Sequence, residues 1–68
     1  MNYSIWIKRE DDGTFDINVW DEVERDRVDD LEQSNIPEYS DAYVSLYKII
    51  EDNPHINFIR LEDTFLLL

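Results

Sequence analysis

The chain has 68 residues, of which 17 are acidic and 6 basic, giving a formal net charge of −11. That length favours one small domain over residues 1–68. The absence of cysteine excludes disulfides and thiolate metal sites, and the charge disfavours direct binding to nucleic acid or to an anionic membrane. A hydrophobic content of 43 % is too high for a disordered chain. Because the N-terminal segment is not typical of a signal peptide and the longest apolar run is FLLL, we expect a folded cytoplasmic protein.

The first two predicted elements are strands joined by a tight hairpin. Apolar residues alternate in YSIWIK (3–8) and again in TFDINVW (14–20), as they do in strands with one buried face. A three-residue loop, Asp11-Asp12-Gly13, pairs Ile7 with Ile17 and keeps one face apolar, whereas a two-residue turn would put the apolar rows on opposite faces. We therefore predict the three-residue loop, with its glycine in the left-handed conformation.

The segment DEVERDRVDDLEQ (21–33) is predicted to form a first helix. Asp21 followed by Glu24 is typical of an N-cap and its reciprocal partner. The apolar stripe of this helix is thin and consists of Trp20, Val23, Val28 and Leu31. Like charges at four-residue spacing cost a few tenths of a kcal/mol each, and aspartate is a mediocre helix former. Stability alone therefore does not explain this segment.

The second half of the chain predicts another helix and another strand. Pro37 interrupts the helical pattern, and a second helix follows from about 38 or 40 to 52, where apolar residues recur at three- and four-residue spacings. Asn53-Pro54 ends it. HINFIRL (55–61) alternates as a strand does, and after it either FLLL (65–68) forms a short final strand or the strand runs on irregularly. The resulting architecture is α+β in the order β-β-α-α-β, an antiparallel sheet of three to four strands with two helices on one face.

The negative charge is confined to one region. Residues 10–32 hold eleven acids against Arg25 and Arg27, a net charge of −9, whereas the other 45 residues have a net charge of −2. Carboxylates about 5–6 Å apart on one helix face can occupy lysine and arginine sites that normally hold phosphates. The alternative is a solvated face that only keeps the protein soluble. On the first interpretation, the residues expected to contact a partner are Asp11, Asp12, Asp21, Glu22, Asp26, Asp29, Asp30 and Glu32.

Trp6 and Trp20 are candidate aromatic anchors on the outer face of the sheet, because tryptophan dominates binding hot spots. The alternatives are that helices or a second copy of the chain cover that face, or that Trp20 packs under the first helix. A homodimer is therefore one of the possible assemblies, and the C-terminal leucines are a second candidate contact for it.

No residue pattern indicates catalysis, a metal site or a cofactor. An EF-hand alignment on Gly13 would place Lys8 and Val19 at the first and twelfth loop positions, where oxygen ligands are needed. A single histidine cannot build a zinc site, and a single glycine cannot build a phosphate-binding loop. We expect a binding protein that is not an enzyme and uses no cofactor.

In its small size, strong acidity and lack of cysteine and of catalytic motifs, the chain resembles the phage-encoded DNA-mimic inhibitors of restriction enzymes and CRISPR nucleases. The resemblance covers charge and size and rests on no sequence motif. It implies stoichiometric occlusion of a basic nucleic-acid-binding surface, with a nucleic-acid-binding protein or nuclease complex as the partner. The alternatives are an antitoxin or immunity-type protein that neutralises a cationic toxin, and a homodimeric accessory or scaffold subunit.

Overall fold

The computed structural model describes residues 1–64, which form a five-stranded mixed sheet with one α-helix. The strands are β1 (Asn2–Arg9), β2 (Phe15–Asp21), β3 (Asp26–Arg27), β4 (Gln33–Ile36) and β5 (Asn57–Arg60), and the helix is α1 (Tyr39–Asp52). The strand order is β3-β2-β1-β5, and β4 also pairs with β2. The fold is therefore a small α+β domain. The possible final strand at residues 65–68 lies outside the described residues.

The predicted hairpin is confirmed in its register. Ile7 lies opposite Ile17 in the antiparallel β1–β2 pair, so the apolar rows of both strands share one face. The Glu10 N–H donates to the Thr14 carbonyl at 2.8 Å, which leaves Asp11, Asp12 and Gly13 as the loop. Gly13 has φ +87°, in the left-handed region that glycine enters without steric cost.

The core lies between the apolar face of this hairpin and α1. Ile5, Ile7, Ile17 and Val19 are fully or almost fully buried, and they pack against Ala42, Leu46 and Ile49 of the helix. The three helical residues recur at four- and three-residue spacing, which keeps them on one face of α1. The prediction of a helix ending at Asn53 is confirmed, and the Asn53 side chain closes it by donating to the Ile49 carbonyl at 2.8 Å.

The predicted helix over residues 21–33 is wrong. Asp21 does act as a cap, since its Oδ1 accepts the N–H groups of Val23 and Glu24 at 2.9 and 3.0 Å. The turn ends at Arg25, whose φ of +61° is incompatible with a continuing right-handed helix. The chain then returns along β2 as β3, followed by a short 3₁₀ turn (Asp29–Leu31) and β4. Repulsion between closely spaced carboxylates and the low helix propensity of aspartate favour this extended path.

The expected fully antiparallel sheet is also wrong. β5 pairs with β1 in parallel, with Tyr3 opposite Phe58. The reason is topological: β4 runs antiparallel to β2, and α1 then carries the chain back across the sheet, so β5 starts at the same end as β4. A parallel pair requires such a crossover connection.

Candidate partner-binding surface

The carboxylates that follow β2 gather in one cluster. Asp21, Glu24, Asp26, Asp29 and Asp30 line a surface hollow of about 440 Å³ together with Tyr3, Arg27 and Val28. We call these five acids the turn cluster. Arg27 Nε lies 3.9 Å from Asp29, and within residues 1–64 no ion pair involves Glu24 or Asp30. Most of this negative charge therefore faces solvent uncompensated.

A second acidic cluster lies at the hairpin tip. Glu10, Asp11, Asp12 and Asp16 line a hollow of about 390 Å³ with Ser34 and Asn35 of β4, and we call these four acids the hairpin cluster. Asp12 accepts hydrogen bonds from the Thr14 hydroxyl and N–H, which lower the pKa of Asp12. Hydrogen bonding with Asp16 raises the pKa of Glu10. Lys8 Nζ lies 3.7 Å from Glu10 Oε2 and acts to lower the same pKa, so part of the charge of this cluster is already paired.

The two clusters lie at opposite ends of β2. Asp16 and Asp21 are five residues apart on this strand, which corresponds to about 17 Å at the usual rise per residue of a strand. The predicted carboxylates therefore do not share one helix face. The fold brings Asp21, Asp26, Asp29 and Asp30 together as predicted, but it places Asp11 and Asp12 in the separate hairpin cluster. Glu10, Asp16 and Glu24 join the clusters although the sequence analysis did not select them.

Two of the predicted carboxylates, Glu22 and Glu32, form hydrogen bonds to residues of the sheet that are distant in the chain. Glu32 Oε2 accepts the Val19 N–H at 3.0 Å, and its Oε1 lies 2.6 Å from Arg27 Nη2. Glu22 Oε2 accepts a hydrogen bond from the buried Ser4 hydroxyl at 2.6 Å. Both carboxylates therefore have a structural task, and their share in any contact with a partner is smaller than that of the turn cluster.

Trp6 and Trp20 lie on the face of the sheet opposite α1, as predicted. They line a hollow of about 390 Å³ together with the side chains of Lys8, Glu10, Asp16, Asn18, Arg27 and Glu32. Both tryptophans are partly exposed. The alternative of Trp20 packing under a first helix is wrong, because no helix forms there. The hollow shares Glu10 and Asp16 with the hairpin cluster and Arg27 with the hollow of the turn cluster.

A row of tyrosines on α1 was not identified as a surface by the sequence analysis. Tyr39, Tyr43 and Tyr47 follow one another along the helix with ring centroids 6.2 and 4.9 Å apart. Tyr43, in the middle of the row, has 46 % of its surface exposed. The sequence signal for this surface was the constant four-residue spacing of the tyrosines. Positions four residues apart on a helix turn progressively away from the buried stripe of Leu46 and Ile49.

Asp63 is a further carboxylate that bonds inside the fold, outside the clusters. Its Oδ1 lies 2.6 Å from Arg60 Nη1 and accepts the Ile7 N–H at 3.3 Å, while its Oδ2 accepts the Tyr39 hydroxyl at 2.7 Å. Burial acts to raise the pKa of Asp63, but these hydrogen bonds lower it below its ordinary value. The same hydrogen bond raises the pKa of Tyr39. The arrangement fixes the chain after β5 against β1.

No group of three or more histidine, aspartate or glutamate side chains in residues 1–64 has the geometry to hold a metal ion. In the same part of the chain, no helix is both long and apolar enough to cross a membrane.

No family model matches the chain, and no match was found among curated proteins or solved structures.

Proposed function

We propose that this protein is a cytoplasmic inhibitory binding protein that occludes a basic nucleic-acid-binding surface of a nuclease or defence complex. The observation that carries the proposal is the pair of solvent-facing acidic clusters at the two ends of β2, with Trp6 and Trp20 between them. A protein surface that binds a nucleic-acid backbone presents lysine and arginine side chains to the phosphates. The clusters would occupy those side chains in place of a nucleic-acid backbone.

The rigidity of the acidic surface supports this proposal. The turn cluster is held by backbone pairing of β3 with β2 and by the cap formed at Asp21. The hairpin cluster is held by the loop hydrogen bonds of Glu10 and Asp12. A surface ordered before binding loses little conformational entropy when the complex forms. Its charge also accelerates association with a basic partner, and that acceleration weakens as salt is added.

Exchange of charge in the turn cluster tests the proposal. The variant Glu24→Lys/Asp30→Lys reverses two exposed acids that form no ion pair within residues 1–64. The matched control, Glu51→Lys/Asp52→Lys, makes the same change in net charge at the exposed end of α1. Immobilised wild-type protein and both variants would be used to capture partners from a bacterial lysate, with identification by mass spectrometry. The captured partner would then be purified and titrated with each protein in the presence of duplex DNA or RNA.

We expect the partner to bind the wild type and the α1 control but to lose at least tenfold in affinity for the cluster variant. Duplex nucleic acid should compete with the wild type, and binding should weaken as the salt concentration rises. A partner that binds the cluster variant as tightly as the wild type at about 0.15 M salt would contradict the proposal. So would a partner that nucleic acid does not displace.

A further inference from the structure

We propose that β5 pairs antiparallel with β5 of a second copy of this chain, across a two-fold axis that passes beside Ile59. The two sheets would then join into one continuous sheet, with the acidic clusters at its two far ends. This contact is separate from the proposed inhibitory surface, because β5 lies at the opposite edge of the sheet from β3.

Within residues 1–64, no strand pairs with the outer side of β5. Asn57 and Leu61 donate their N–H groups to the carbonyls of Met1 and Ile5, each at 2.9 Å. Because successive residues of a strand alternate in direction, the N–H and C=O groups of Phe58 and Arg60 point away from β1. β5 is the last strand in the order of the described sheet. An edge of this kind is a template for another strand.

The other edge of the sheet is protected. β3 and β4 are short and cover different parts of β2, and Glu32 fills the gap between them by accepting the Val19 N–H. Charged side chains and irregular short strands are the features that prevent sheet edges from pairing with one another. β4 has the same length as β5 and no charged side chain, but its register against β2 shifts, whereas β5 pairs with β1 in a regular register. The contrast singles out β5 as the edge available for pairing.

The charge distribution favours a second copy as the occupant. β1 and β5 contain no acidic residue and carry Lys8, Arg9 and Arg60, although the whole chain has a net charge of −11. Two copies that approach through this half of the sheet keep their acidic clusters farthest apart. A contact through the β3 and β4 edge would bring carboxylates of both copies together, and like charges at an interface are destabilising.

The side chains of β5 also suit this register. Pairing Phe58 with Arg60 of the second copy places the two Ile59 side chains opposite each other in a non-hydrogen-bonded position. Ile59 and Leu61 lie on the face opposite α1 and are 44 % and 40 % exposed. Directly opposed apolar side chains add to the stability of a strand pair. Since the contact is short, we expect a weak dimer with a dissociation constant on the order of 100 µM.

The test uses single cysteines in a chain that has none. Opposed residues in a non-hydrogen-bonded antiparallel pair have Cα atoms about 4.5 Å apart, within the range of disulfides. Under mild oxidation Ile59→Cys should form a disulfide-linked dimer at least tenfold faster than the control Val44→Cys. Val44 is an exposed apolar residue of α1, away from the edge. Sedimentation of the unmodified chain from about 10 µM to about 1 mM should show the dimer, and Ile59→Lys should abolish it while Val44→Lys does not.

The salt dependence distinguishes this dimer from binding to a basic target. Raising the salt from about 0.01 M to about 0.15 M shortens the Debye length from about 30 to about 8 Å. The screening should strengthen a contact between two acidic copies and weaken the proposed inhibitory contact. A chain that sediments as a monomer over the whole concentration range, or cysteines at 59 and 44 that cross-link equally fast, would overturn the inference. Neither result would bear on the acidic clusters.

Discussion

Glu32 and Asp63 perform the same task on opposite sides of the central hairpin. Each carboxylate accepts the N–H of a core residue, Val19 in one case and Ile7 in the other, and each lies 2.6 Å from an arginine nitrogen. In both places a side-chain oxygen replaces a strand carbonyl that the irregular neighbouring chain does not supply. A buried N–H without a partner costs about 1–3 kcal/mol, so these two acids stabilise the sheet although they belong to a chain with excess negative charge.

Replacement of Asp63 by asparagine should lower the free energy of unfolding by about 1–3 kcal/mol at pH 7, because the hydrogen bonds to a charged acceptor are weakened. The pKa of Asp63 is lowered in the folded state. Its contribution is therefore complete above its ordinary pKa and disappears as the pH falls through the lower, folded value. Urea unfolding at pH 7 and near pH 3 should show the difference between wild type and Asp63→Asn shrinking at the lower pH. Asp30→Asn, at an exposed position, should change stability by less than about 0.5 kcal/mol.

Two substitutions of Glu32 separate the contribution of its backbone hydrogen bond from that of its ion pair. Glu32→Ala removes the acceptor for the Val19 N–H and the ion pair with Arg27, and it should cost about 1–3 kcal/mol. Glu32→Gln keeps an acceptor oxygen and loses only the charge, so it should cost less than half as much. Equal losses for both variants in chemical unfolding would mean that the ion pair, rather than the backbone hydrogen bond, carries the stabilisation.

Among the elements, those set by local patterns could be predicted and those set by distant contacts could not. Alternation and Gly13 fix the hairpin, and the spacing of Ala42, Leu46 and Ile49 fixes α1. The cap at Asp21 forms whether one turn or a whole helix follows, so the sequence signal was real but did not determine length. The direction of β5 depends on where α1 returns the chain, and no local pattern encodes it.

The acidic surface could likewise be predicted only in part. Composition located the excess charge between residues 10 and 32, and the clusters lie there. Which acids belong to each cluster depends on the turn at Arg25 and on the pairing of β3 and β4 with β2. A helix would have spaced the same carboxylates along one face, whereas the observed chain gathers them at the two ends of a strand.

Two substitutions of Arg25 should differ in stability in one direction if residue 25 lies in a turn and in the opposite direction if it lies in a helix. Its φ of +61° should make Arg25→Gly more stable than Arg25→Ala by about 1 kcal/mol, because an L side chain is strained in this region. In a helix the order would be reversed, since alanine is favoured over glycine by about 1 kcal/mol. Both variants lose the same charge, so electrostatic effects cancel in the comparison. Thermal unfolding of the pair is sufficient, and a more stable alanine variant would contradict the observed turn.

At the scale of the whole molecule, the clusters impose a cost on folding. A net charge of −11 repels itself in a compact state, and the turn cluster contributes acids with no ion pair within residues 1–64. If the clusters bind a partner as proposed, function and stability make opposite demands on the same side chains.

Two changes should reveal this cost. Salt raised from about 0.01 to about 0.5 M should increase the midpoint of thermal unfolding, because screening reduces the repulsion. Glu24→Gln/Asp30→Gln should also increase it at low salt, and the benefit should diminish as salt is added. The control Glu51→Gln/Asp52→Gln removes the same two negative charges from α1 and should raise the midpoint of thermal unfolding by less. If both pairs gave the same gain, the cost would arise from total charge and not from the cluster.

The pairing of β1 with β5 also has a consequence for how the protein is made. β1 precedes its parallel partner in the chain, since that partner spans Asn57–Arg60 and the far end of β1 pairs with Thr64. At about 5–20 residues per second, the partner is synthesised several seconds after the hairpin. The helix α1, which packs over Ile5 and Ile7, is likewise synthesised after them. The sheet and the core are therefore completed only when the segment up to Thr64 has left the ribosome.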